Sequence, residues 1–170
     1  MKAGRGRLEA GHTKGRGNMT RIEARLKDLG ITLPEVAKPL AAYVPAVRTG
    51  PYVYVSGQLP LVGGQPVVTG KVGAEVTPEQ AKQAARISGI NALAALAGVA
   101  SLDKVRRIVK VTGFVASAPG FTGQPGVVNG ASELFKEVFG EAGQHARAAV
   151  GVAELPLGVP VEVEILAEVE

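Results

Sequence analysis

The sequence predicts an α+β protein in which two helices cover one face of a single sheet, and three observations predict it. A capping box and a proline at the first helical position open a long alanine-rich helical stripe at Thr77. Strict alternation from Val161 to Val169 marks a half-buried strand. Between them, strand-like and helix-like runs follow one another in the order ββ(β)αβαββ, with no internal repeat.

Taken in order, Ile22, Leu26, Leu29 and Ile31 have a mixed helical spacing that predicts a short helix ending near Gly30 and Pro34. Tyr43 to Val47 and Tyr52 to Ser56 are β-branched or aromatic and flank Arg48-Thr49-Gly50-Pro51, the pattern of a hairpin. Gly57 is expected to end the second strand, and Gly63-Gly64 to turn the chain before Val67 and Val68. From Thr77, a stripe of Ala81, Ala84, Ile87, Ile90, Ala94 and Ala97, widened by Leu93 and Leu96, predicts a helix that stops at Gly98. Val105 to Val115 is rich in β-branched residues and predicts a strand. A Gly/Pro-rich loop from Pro119 to Gly126 leads to a second helix on Val127, Ala131, Leu134, Phe135 and Val138. Ala146 to Ala153 and Val161 to Val169, joined through Leu155 to Gly158, are expected to close the chain as a terminal pair of strands.

Composition removes several chemistries. The 170 residues contain no cysteine, so disulfide scaffolds, thiolate zinc sites and cysteine nucleophiles are excluded, in keeping with a reducing, cytoplasmic setting. His12 and His145 are the only histidines and lie far apart in sequence, so no metal centre is expected. The net charge of +4 arises entirely in residues 1 to 18, where five basic side chains face Glu9 alone. That glycine-rich leader has almost nothing to bury and is expected to be disordered, with residues 19 to 170 forming one neutral domain. Nucleic acid is therefore an improbable partner for the folded part. No uninterrupted apolar span of membrane length occurs, and neither a phosphate loop nor a dinucleotide fingerprint is present.

The last two strands carry the best candidate chemistry. Alternation puts Val161, Val163, Ile165, Ala167 and Val169 toward the helices and Glu162 on the opposite face. Taking Ala148, Val150 and Val152 as the apolar set of the preceding strand places Arg147, Ala149 and Gly151 on the helix-free face as well. A guanidinium above small residues suits a carboxylate, although an ordinary Arg–Glu pair on a solvated sheet fits the same pattern. With a hairpin turn near Leu157, Arg147 and Glu162 would stand about 15 Å apart within one chain, so they could share a ligand only between subunits. A half-apolar, helix-free face needs a cover in any case. Tyr43, Ser56, Gly57 and Asn129 are weaker candidates, for which packing, an ordinary turn and a local cap are the readier readings.

Two blocks resemble the RidA (YjgF-like) reactive-intermediate deaminase family, also known as the endoribonuclease L-PSP family. They are Val55-Ser56-Gly57-Gln58-Leu59-Pro60 and the C-terminal run Ala146-Arg147-Ala148-Ala149-Val150, Leu155-Pro156, Val161-Glu162-Val163-Glu164. The resemblance covers about Tyr43 to Val169. It implies a chorismate-mutase-like (bacillus-type) fold with a mixed sheet, assembled as a homotrimer with ligand clefts between subunits. It also implies hydrolysis of 2-imino and 2-enamino acids to 2-oxo acids and ammonia without a metal or cofactor. In that arrangement Arg147 would bind the substrate carboxylate and Glu162 would orient or deprotonate water. Tyr43, Ser56, Gly57, Asn129 and the backbone at Ala149 would complete the cleft. Where deaminase-type members often carry serine and cysteine after the arginine, this chain has Ala148 and Ala149. The competing expectations are a non-catalytic trimer that binds or senses a small carboxylate and, with less support, an endoribonuclease or translation inhibitor.

Overall fold

The computed structural model describes residues 19–36 and 42–170, so the expectation about residues 1 to 18 lies outside the described residues, as does His12. Three helices, α1 (Arg21–Asp28), α2 (Pro78–Ala97) and α3 (Gln124–Phe139), accompany a five-stranded mixed sheet. Its strands are β1 (Ala46–Thr49), β2 (Tyr52–Gln58), β5 (Val105–Ala116), β6 (Ala146–Val152) and β7 (Val161–Val169), in the order β1-β2-β7-β5-β6. A separate ribbon of β3 (Leu61–Val62) and β4 (Gln65–Pro66) turns at Gly63-Gly64, while Val67 and Val68 lie beyond it.

Every pairing in the large sheet is antiparallel except β5 with β6, which α3 connects as a parallel crossover. The expected terminal hairpin is therefore absent: β5 lies between β6 and β7 and pairs with both. The eight residues from Ala153 to Pro160 carry the chain across the end of β5. There the Ala116 N–H donates to the Pro160 carbonyl and the Ser117 N–H to the Val152 carbonyl, so the crossing consumes the last donors of β5. The first hairpin forms, but with strands longer than expected on the turn side: Arg48 and Thr49 belong to β1, leaving Gly50-Pro51 as the loop. Tyr43 precedes the strand instead of opening it.

The capping box at Thr77 is present, with the Gln80 N–H donating to Thr77 Oγ1 at 3.2 Å and the Thr77 N–H to Gln80 Oε1 at 2.9 Å. A second box, Thr20 with Glu23, starts α1. Burial along α2 is centred on Ala81, Ala84, Ala85, Ser88, Ala92, Ala95 and Leu96; Ile87 and Ile90 are only half-buried and Ala97 is exposed. The stripe is rotated from the expected one because α2 must satisfy α3 as well as the sheet. On α3 the five expected apolar residues are all buried. The core lies between these two helices and the inward rows Val53, Val55, Ile108, Val111, Val115 and Val161 through Val169.

Small residues set how closely the layers approach. A Cβ on Gly130 of α3 would overlap the Lys82 carbonyl of α2 and sit 3.1 Å from the Arg86 nitrogen, so only glycine lets the two backbones meet there. Gly130→Ala is expected to lower the urea midpoint, costing about 1–3 kcal/mol through overpacking. Gly126→Ala, in the first turn of the same helix with open space around its Cβ, is expected to leave the midpoint unchanged or raise it slightly.

Candidate functional site

The residues singled out from sequence fall into two groups that one chain does not bring together. The first surrounds Arg147 on β6. Its Nη1 donates to Asn129 Oδ1 at 2.7 Å and to Ser132 Oγ at 3.2 Å, both on α3. Arg147 therefore faces the helix side of the sheet, contrary to the expected assignment. Its row on β5 and β6 confirms the inversion: Val111, opposite Arg147, is fully buried under the helices, Ala149 packs against the core, and a Cβ on Gly151 would meet Gln124 of α3. Ala148, Val150 and Val152 point the other way. The bulkier residues lie on the open face because α3 sits too close to β6 to admit them.

Both hydrogens of Arg147 Nη1 are engaged by these two acceptors, which leaves the Nε–Nη2 edge as the donor pair without a hydrogen-bond partner among the described residues. No acidic side chain forms an ion pair with Arg147 among the described residues. Beside it opens a cavity of ≈ 360 Å³ lined by Ser132, Lys136, Gly143, Gln144, His145 and Arg147. His145 Nδ1 stands 2.6 Å from the Gly143 carbonyl, so Nδ1 carries the hydrogen, and Ser132 Oγ can donate to Nε2 at 2.9 Å. Burial, reinforced by the nearby Arg147 charge and opposed by the Gly143 bond, holds the imidazole below its usual pKa and hence neutral at pH 7.

The second group lies on the helix-free face at β2 and β7. Glu162 is half-buried, and burial followed by repulsion from Glu164 raises its carboxyl above the ordinary range. No cation pairs with it among the described residues. A Cβ on Gly57 would overlap the Glu162 carboxylate, so glycine at this position is what makes room for it. Gly57 lies in a β2 bulge, between Val55 and Gln58, so the strand continues past the residue expected to end it. Ser56 closes the bulge: its Oγ donates to the Val44 carbonyl at 2.7 Å and its N–H to the Pro45 carbonyl at 2.9 Å. That clasp holds the chain just after Tyr43, a residue 59% exposed, against the end of β2.

Glu162 is level with Phe114 and, beyond it, Val150; Arg147 lies three residues along and two strands across. The two are thus about 14 Å apart by strand geometry, and on opposite faces of the sheet. The separation expected from sequence is retained, although the hairpin that led to it does not exist. Ser132 and His145 were not foreseen. Their signals were local: Ser132 is three positions after Asn129 on one helix face, and His145 precedes Arg147 by two on the same side of the chain.

A five-stranded mixed sheet of this order, with two helices on one face and a parallel edge strand, defines a class of small α+β folds, and comparison with known proteins places it. The model of the YjgF/chorismate mutase-like family, whose description also carries an endoribonuclease label, matches residues 23–169. The crystal structure of Atu1372, a protein of unknown function from Agrobacterium tumefaciens, is 49% identical and superposes with a TM-score of 0.81, covering 88% of this chain and 92% of that one. Protein TCP17 of Trypanosoma cruzi is 47% identical over 152 residues, 87% of this chain and 94% of the relative. A 2-iminobutanoate/2-iminopropanoate deaminase of Dermatophagoides farinae is 31% identical over 141 residues, 82% of this chain and 95% of the relative. The chain belongs to the YjgF/RidA-like family. Among the described residues no helix is long and apolar enough to cross a membrane, and no three acidic or histidine side chains are grouped to hold a metal.

The raised pKa of Glu162 has a consequence for stability. A carboxyl whose folded pKa exceeds its unfolded one stabilises the fold while protonated, fully below the unfolded pKa, and that stabilisation is lost as pH rises through the folded value. Glu162→Gln is therefore expected to melt at a higher temperature than the parent at pH 7, with the gap closing below the ordinary carboxylate range, as thermal melts at a series of pH values would record.

Proposed function

We propose that the protein hydrolyses 2-imino or 2-enamino acids to 2-oxo acids and ammonia in clefts formed between copies of the chain, as a homotrimer. The observation that carries this reading is the state of Arg147: its guanidinium is held on one side by Asn129 and Ser132 and presents an Nε–Nη2 pair matched to a carboxylate. Glu162, whose burial raises its pKa above the ordinary carboxylate range, is a stronger base than an exposed carboxylate for exchanging protons with water and amine. Its carboxylate takes a proton from the attacking water as oxygen bonds to the imine carbon. The same proton passes to nitrogen to give a carbinolamine; the hydroxyl hydrogen is then relayed through the carboxylate to the amino nitrogen, the C–N bond breaks, and ammonia leaves as the carbonyl forms. Positioning and one carboxylate are enough for so labile a bond.

Because Arg147 and Glu162 face opposite sides of one sheet, the reading needs a second copy to bring its Glu162 group, with Tyr43, Ser56 and Gly57, to the Arg147, Asn129 and Ala149 of the first. Exposed Val47, Tyr52, Tyr54 and Val150 on the helix-free face support such a cover. The curated deaminase relative supports the reaction class. Ala148 and Ala149 bear no polar side chains, so any contact there is through backbone, and this favours binding without turnover as the second reading.

The test is release of ammonia and 2-oxo acid from imines generated in situ by an amino-acid oxidase. Arg147→Ala is expected to reduce kcat/KM at least about tenfold through the lost charged hydrogen bonds. Glu162→Gln is expected to reduce kcat by about 10²-fold or more. Parent activity is expected to fall as acidity protonates Glu162, with a midpoint above the ordinary carboxylate range. Binding of 2-oxo acids with no acceleration of any imine would assign the second reading. Sedimentation is expected to give three copies for the parent and a smaller species for Tyr54→Glu.

A further inference from the structure

Ser132 braces Arg147 directly, and His145, which has no role above, is joined to Arg147 through it by an unbroken chain of hydrogen bonds. The Gly143 carbonyl accepts from Nδ1 of His145, which fixes the tautomer and leaves the Nε2 lone pair directed at Ser132. Ser132 Oγ then gives its hydrogen to Nε2 and keeps its lone pairs for Arg147 Nη1. The imidazole is itself braced, its ring meeting Phe135 edge-on at 6.0 Å and 80°. Without His145 the hydroxyl is free to rotate, and its lone pair is no longer pinned toward the guanidinium.

We infer that His145 and Ser132 act as one positioning unit for Arg147, orienting the guanidinium so that its Nε–Nη2 edge, not its Nη1–Nη2 end, meets a ligand carboxylate. Asn129 supplies the second restraint on Nη1. With two acceptors from one helix on a single nitrogen, the guanidinium plane is fixed by α3 before any ligand arrives, and less ordering remains to oppose binding. Neutral imidazole serves this role, and its burial keeps it neutral. The inference rests on the reading of Arg147 as the carboxylate anchor.

The experiment is calorimetric titration of the full chain with 2-oxobutanoate, for the parent, Ser132→Ala, Ser132→Thr, His145→Phe, the Ser132→Ala/His145→Phe double variant and Arg147→Ala. Ser132→Ala and His145→Phe are each expected to weaken binding about fivefold, the worth of one neutral hydrogen bond. The double variant is expected to lose about fivefold in total, the same as either single variant and not the product of the two, since one chain of bonds can be broken only once. Ser132→Thr, which keeps the hydroxyl, is expected to restore binding. His145→Phe preserves the packing on Phe135, so a purely structural histidine would leave the affinity unchanged. Should that variant fail to fold, Ser132→Ala against Ser132→Thr carries the test, alanine being well suited to a helix. Parent-like affinity in Ser132→Ala or His145→Phe, or losses that multiply in the double variant, overturns the inference alone if Arg147→Ala abolishes binding. Undiminished binding by Arg147→Ala, or none by the parent, overturns the carboxylate reading and the inference with it.

Discussion

The close seating of α3 on β5 and β6 is the constraint from which the rest follows. It is permitted by Gly113 beneath Val128, where any Cβ would push helix and sheet apart, while Gly130 against the Lys82 carbonyl sets the approach of α3 to α2. Hydrophobic burial supplies the force and glycine the permitted distance. Because α3 lies so near, only small or slender residues can occupy the helix side of β6. The one long side chain there, Arg147, leaves the sheet along the helix flank, where Asn129 and Ser132 meet it.

The same seating explains the parallel pairing at the sheet edge. Having crossed above β5 as α3, the chain must re-enter the sheet in the direction of β5, and β6 does so on its free side. β7 then fills the gap between β5 and β2, becoming the most enclosed strand. Its five inward residues are buried, while in its outward row Glu162, Leu166 and Glu168 are partly covered and Glu164 is exposed. Among these Glu162 is half removed from water without a compensating cation, and burial raises its pKa.

Legibility in the sequence tracked how strongly each segment's local physics agreed with its surroundings. The Thr77 cap, the α3 stripe and the β7 alternation were readable because each is dictated by its own residues: a cap needs its hydroxyl, and a strand buried on one face must alternate. β6 was read with its faces reversed. Size and hydrophobicity put Val150 and Val152 inside, but close approach of a helix selects Ala149 and Gly151 there. The neighbour of β7 was likewise invisible locally, since an eight-residue link serves a hairpin or a step over one strand equally well. For the site, Arg147, Glu162, Gly57 and Asn129 were marked by their type and motif. The Asn129–Arg147 bond follows from a helix-to-sheet contact that spacing alone does not encode, and Ser132 and His145 become meaningful only once that contact exists.

The placement of Arg147 and Glu162 on opposite faces also bears on inheritance. If each cleft takes its anchor from one copy and its proton carrier from another, the two functions are separable between molecules. A chain lacking Arg147 still offers a sound Glu162 to its neighbour, and a chain lacking Glu162 still offers a sound Arg147. Two alleles, each null by itself, would then rescue one another when expressed in the same cell, because some mixed assemblies contain a cleft made wholly of intact halves.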